Sequence, residues 1–100
     1  MKKVKLIKPL EKDGQRIEEI ELKLSELTGS DLVQVERQAR LQGDLSPDPL
    51  FSADGLAVIA ARVSGLLPED IKSLHAPDFL TVINTVKNFL YGWVLPESMR

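Results

Sequence analysis

Apolar and polar residues alternate along the first part of the chain. Val4 and Leu6 alternate with Lys3 and Lys5, and Ile20, Leu22 and Leu24 alternate with Glu19, Glu21 and Lys23. A period of two predicts strands with one wet face. Between the two runs lies Lys12-Asp13-Gly14-Gln15, and Asp-Gly is the strongest short signal for a hairpin turn. Ile17 sits on the opposite parity from Ile20, which predicts a bulge or a late start to the second strand. Pro9 has no N–H to give to a ladder, so it is expected to end the first strand or lie on its edge. A β-hairpin over residues 3–24 follows.

From residue 28 the spacing becomes helical. A first helix is expected from Ser30 to Gln42, capped by Thr28 or Ser30, stopped at Gly43 and burying Leu32, Val35 and Ala39. Pro47 and Pro49 make the Asp44–Pro49 stretch a linker, and its polarity suggests a mobile loop. A second helix spans Ser52 to Gly65 with Leu56, Ile59, Ala60 and Val63 on one line, which Leu67 extends. Pro68 opens a third, short helix: proline suits the first helical position, and Glu69 and Asp70 favour the helix dipole there. Ile71 and Leu74 point the same way. The fourth starts at Pro77-Asp78 and runs to Tyr91, with Gly92 as its expected stop. Phe79, Val82, Ile83, Val86 and Leu90 form its apolar stripe. A two-stranded hairpin is marginal alone, so the helices must cover it. The expected fold is α+β, a hairpin followed by a bundle of about four α-helices. It forms one domain over 1–100, with a helical part over 28–92 and a short apolar tail over 93–100.

Composition narrows the class. With 100 residues, 43% hydrophobic and 28% charged, the chain is globular rather than disordered. Aromatics supply only 5%, so the core must be aliphatic. The net charge of −2 gives no general attraction to nucleic acid. Residues 1–24 carry seven Lys/Arg against five Asp/Glu, and residues 25–100 carry six against ten. The absence of cysteine removes disulfides and thiolate metal sites. The apolar run after Met1-Lys2-Lys3 is too short for a signal peptide, and no stretch approaches the ~18 apolar residues of a membrane span. The expected location is a cytoplasm.

The residues offer little for catalysis. His75 is the sole histidine and reads as a loop or capping residue. The carboxylate pairs Glu18-Glu19 and Glu69-Asp70 are explained by a strand straddling two faces and by a helix dipole. No phosphate-binding glycine motif occurs; Gly65 ends a helix and Gly55 allows close packing. No cofactor and no metal site are expected. The strand lysines Lys2, Lys3, Lys5 and Lys8 suit a phosphate contact or, more simply, a solvated strand edge guarded against aggregation.

Two features favour protein binding. The edge of the hairpin could pair with a strand of another chain. The last helix and tail hold more large apolar groups than one side of a core needs, including Phe79, Phe89, Trp93 and Leu95. Phe79, Leu80, Phe89, Leu90 and Trp93 are the candidate protein-binding residues.

The order of motifs adds a resemblance. A hairpin with Lys8-Pro9-Leu10 and Gly14 leads to Ile20-Glu21-Leu22-Lys23-Leu24 and then to Gly29-Ser30-Asp31-Leu32. Val58-Ile59-Ala60-Ala61-Arg62-Val63-Ser64-Gly65-Leu66, Leu67-Pro68-Glu69-Asp70-Ile71 and Asp78-Phe79-Leu80 follow. Over residues 4–92 this resembles the small tail assembly chaperones of tailed phages and prophages, particularly contractile-tailed phages. Ser25-Glu26-Leu27-Thr28 departs from the more basic, proline-containing connector of that pattern. The resemblance implies a non-enzymatic protein in the host cytoplasm. It would coat the tape measure protein, self-associate, meet the tail tube protein as the tube polymerises, and be absent from the virion. The alternative is a small prophage regulatory or nucleic-acid-associated protein, against which stand the negative charge and the lack of a basic recognition helix.

Overall fold

β1 (Lys2–Lys12) and β2 (Gln15–Leu22) form an antiparallel two-stranded sheet. A single 3-10 turn (Leu24–Glu26) leads into α1 (Gly29–Leu41), α2 (Ala53–Ser64), α3 (Pro68–Lys72) and α4 (Ala76–Val94). This computed structural model describes residues 2–94, with side chains through Tyr91. The expected α+β order of hairpin and then four helices is the one observed.

The hairpin closes through Asp13 and Gly14, whose φ values of 52° and 77° are those of a two-residue turn that needs left-handed backbone twice. The register runs from Lys12↔Gln15 to Leu10↔Ile17, then resumes at Lys5↔Glu19 and Val4↔Ile20. Between these stretches Leu6–Pro9 on β1 oppose the single residue Glu18 on β2. The register breaks where Ile17 and Ile20 change parity, but the extra residues stand on β1, not on the second strand, which starts at Gln15. Pro9 lies inside this bulge, where no ladder bond is required, so β1 continues past the proline instead of ending there. The bulge leaves the N–H groups of Ile7 and Lys8 without strand partners. Asp78, in the first turn of α4, accepts both, one on each carboxylate oxygen, at 2.9 and 3.0 Å. Its side chain is only 1% exposed.

The helices begin and end as their residues dictate. Thr28 caps α1 in a reciprocal box: Asp31 N–H donates to the Thr28 hydroxyl, and Thr28 N–H donates to the Asp31 carboxylate. Ser52 caps α2 by accepting from Gly55 N–H at 3.0 Å, and Gly65 ends it in the left-handed conformation. At α3 the Asp70 carboxylate reaches back to Leu67 N–H and also accepts from Lys12, tying the hairpin tip to the helices. α4 runs through Gly92 to Val94, past the stop the glycine suggests. One glycine costs a helix only about 1 kcal/mol, and neighbouring contacts outweigh that.

α2 is the centre of the core. Every residue from Gly55 to Ala61 is buried, as is Val63. The sheet covers it with Val4, Leu6, Leu10, Ile20 and Leu22, and α4 with Val82, Ile83, Val86 and Leu90. The connector before α2 is tied to it rather than loose. Pro49 is buried, and Asp44 accepts from Ser46 N–H and from the Ser52 hydroxyl. A Cβ on Gly55 would stand 1.8 Å from the Pro49 carbonyl oxygen.

Two predictions follow from this packing. Gly55→Ala must push the connector off α2, at a cost of about 1–3 kcal/mol in urea unfolding, because the obstacle is backbone and cannot rotate away. Asp78 is held below the usual carboxylate range, first by the Ile7 N–H and then by the Lys8 N–H. Contacts with Ser46 and then Ser52 bring Asp44 down to about 2. Both carboxylates add stability above the unfolded value of 3.8 and lose it as pH falls through their folded values. The urea midpoint should therefore drop between about pH 4 and about pH 2. Asp78→Asn, whose amide accepts only one of the two N–H groups, should lower the midpoint at neutral pH and flatten this acid limb.

Candidate functional site

All five candidate residues lie on α4, and the four whose side chains are described turn in different directions. Leu90 is 3% exposed and lies in the core with Val82, Ile83 and Val86. Phe79 and Phe89 are half-buried and pack on the edge of that core. Leu80 is 53% exposed. Trp93 belongs to the last turn of the helix, but its side chain and residues 95–100 lie outside the described residues. The five residues thus do not form one described patch.

Phe79 lines a shallow groove of about 330 Å³ with Ala53, Asp54, Lys72, Leu74 and Ala76. The ion pair between Lys72 and Asp54, at 2.7 Å, closes its rim. Phe89 lines a separate groove of about 620 Å³ with Lys2, Lys3, Thr85, Asn88 and Gly92. The first strand lysines and the last helix therefore meet, a juxtaposition that no local pattern reveals. Leu80 shares a helix side with Lys87 and Tyr91, seven and eleven residues on. Tyr91 stacks on Phe51 from the connector, with centroids 5.2 Å apart and planes 9° apart, and the Lys87 ammonium stands 5.8 Å from the Tyr91 centroid. Sequence reasoning passed over Phe51 and Tyr91, since each is a single aromatic outside the apolar stripe.

Of the groups considered for chemistry, Glu18, Glu19 and Asp70 have side-chain partners within the chain, and His75 contributes its backbone carbonyl to the start of α4. The His75 carbonyl accepts the Phe79 N–H at 2.9 Å as α4 begins. Glu18 pairs with Arg16 at 3.1 Å and Glu19 faces Lys3 at 4.0 Å. Asp70 is lowered by its hydrogen bond from Lys12 and then by the Leu67 N–H. Glu18 and Glu19 lie in exposed pairs on the sheet and Asp70 at the start of α3, so these carboxylates do not converge on a cleft. Among the described residues no cluster of histidine and acidic side chains could hold a metal ion, and no helix is long and apolar enough to cross a membrane.

The split between core and surface on α4 is measurable. Leu90→Ala should destabilise the fold by about 2–5 kcal/mol in denaturant unfolding. Leu80→Ser should stay within about 0.5 kcal/mol of the parent.

The comparisons with known proteins agree with the motif order. The family described as "Phage tail assembly chaperone proteins, E, or 41 or 14" matches residues 3–91, from the first strand to Tyr91. No curated protein and no solved structure matches the chain. A match over nearly the whole length, on a hairpin-and-helices fold of the expected order, establishes that this chain belongs to the phage tail assembly chaperone family.

Proposed function

We propose that this chaperone acts by transiently binding the tape measure protein in the host cytoplasm while the tail tube forms, and that it does so without catalysis. The family match over residues 3–91 carries the reading. The geometry supports it through the way the surface is built. Carboxylates and lysines that could serve chemistry are used as caps and struts, whereas apolar side chains remain outside the core. Leu80 projects from α4, on the same helix side as Tyr91, which stacks on Phe51 three turns further on. Phe79 and Phe89 open onto two grooves. Leu90 serves the core beneath them, and Trp93 extends the same helix.

Small patches of this kind suit a long client. Each contact is weak, and several copies along one chain hold it by avidity. A polymerising tube can then displace them one at a time. Self-association of copies on the client, and a brief encounter with the tail tube protein, belong to the same reading. A nucleic-acid role draws no comparable support, since the lysines of β1 share their sheet with Glu18, Glu19 and Glu21.

The test is co-expression with the tape measure protein of the same phage. The parent chain should keep the tape measure protein in the soluble fraction. Leu80→Glu, at an exposed position, should leave more of it in the pellet with the melting temperature of the chaperone unchanged, and Trp93→Ser should do the same in a chain that still folds. Equal pelleting with and without the chaperone would overturn the reading.

A further inference from the structure

α1 presents a second surface, remote in sequence from α4. Its inner side packs on α2 through Val35 and Ala39, with Leu32 at the margin. Its outer side carries Val33, Arg37 and Leu41, spaced four residues apart and so aligned along the helix. Glu36 and Arg40 lie beside this line, and Glu36, Arg37, Arg40 and Leu41 shape a shallow groove of about 350 Å³. Val33 is 54% exposed and Leu41 88%. Leu45, just past the helix end, is 91% exposed. One exposed leucine requires no explanation, but three large aliphatic residues interleaved with arginines do.

The charges say what would cover this face. The other arginines among the described residues are paired within the chain: Arg16 with Glu18, and Arg62 with Asp31 and Gln34. Among the described residues Arg37 and Arg40 have no ion-pair partner in contact, and only Asp44 acts on Arg40, at longer range. Among the described residues that line the groove Glu36 is the sole carboxylate. The groove, with two arginines against one glutamate, is thus net positive on a chain that is net negative. A guanidinium accommodates a carboxylate through two parallel hydrogen bonds while its stem lies along apolar surface. A second copy brought up about a two-fold axis would set Arg37 and Arg40 against their own kind. A phosphate backbone would leave Val33, Leu41 and Leu45 unused.

We infer that the outer face of α1, with Val33, Arg37, Arg40, Leu41 and Leu45, docks an acidic amphipathic segment of the client protein. Carboxylates on the segment meet the two arginines, and its apolar side meets the three aliphatic residues. The inference rests on the client-binding reading above, and adds to it the surface and the charge of the client segment.

The test uses short overlapping synthetic peptides that tile the tape measure protein, read by fluorescence anisotropy against the full chain. The peptides bound should be those in which Asp or Glu flank apolar residues, and added salt should weaken them. Arg37→Glu and, separately, Leu41→Ser should each weaken them roughly tenfold without lowering the melting temperature, since both side chains are exposed. Peptides with Asp and Glu replaced by Lys should bind Arg37→Glu better than the parent. Bound peptides without acidic bias, or unchanged binding by both folded variants, would overturn the α1 assignment while leaving the client-binding reading in place. Loss of self-association in place of peptide binding, or binding of duplex DNA lost in Arg37→Glu, would also overturn it. Failure of the parent to bind any peptide and to keep the tape measure protein soluble would remove both.

Discussion

The carboxylate of Asp78 joins the two halves of this fold. The bulge in β1 releases two backbone N–H groups, and each needs an acceptor if it is to leave water. Asp78 supplies both oxygens from the first turn of α4, where its negative charge also favours the helix dipole. One side chain therefore fixes where the helix begins and at what height it meets the strand. The rest of α4 follows from that placement. Val82, Ile83, Val86 and Leu90 arrive on α2, and Phe89 arrives beside Lys2 and Lys3.

α2 completes the arrangement from the other side. A helix buried almost all round must present small residues wherever backbone comes close, and Gly55, Ala57, Ala60 and Ala61 do so. Gly55 admits the Pro49 carbonyl, which lets the connector lie on the helix it leads into. The ties around this core are polar and partly exposed: Lys12 to Asp70, Arg62 to Asp31 and Lys72 to Asp54. Such partly exposed pairs contribute little each to stability, and the core carries the packing.

The legible features were those that depend on neighbours in the chain. The Asp-Gly turn, the cap at Thr28, one of two candidates, the start of α2 at Ser52 and its end at Gly65 follow from short windows, and all are present. The misread features depend on distant partners. Asp78 looks like an ordinary first-turn carboxylate, since its acceptor role links positions 71 apart. Gly92 looks like a stop, but a helix already held by its apolar face continues through it. The burial of α2 on every side did leave a trace, because no charged residue occurs from Gly55 to Ala61. The candidate surface was the hardest part. A run such as Phe79–Leu80 or Phe89–Leu90 has the same apolar character whichever member turns inward. Only the height and rotation of α4 decide that Leu90 is core and Leu80 is surface. On α1 the eye follows Leu32, Val35 and Ala39 inward, and the line of Val33, Arg37 and Leu41 on the far side goes unread.

These constraints separate holding the fold from meeting a partner. The core is aliphatic and continuous, and its buried polar groups, Asp78 and Asp44, are engaged by neighbours within the chain. Val33 and Leu41 on α1 and Leu80 on α4 are exposed and absent from that core, so covering them need not disturb it. On the function proposed above, weak binding at each face would give fast release, because among related contacts affinity varies chiefly through the dissociation rate. A chaperone that yields to a growing tube, as proposed, would need fast release from each contact and retention from their number. A small domain whose two buried carboxylates serve the fold, with a few aliphatic side chains left outside, is compatible with both demands.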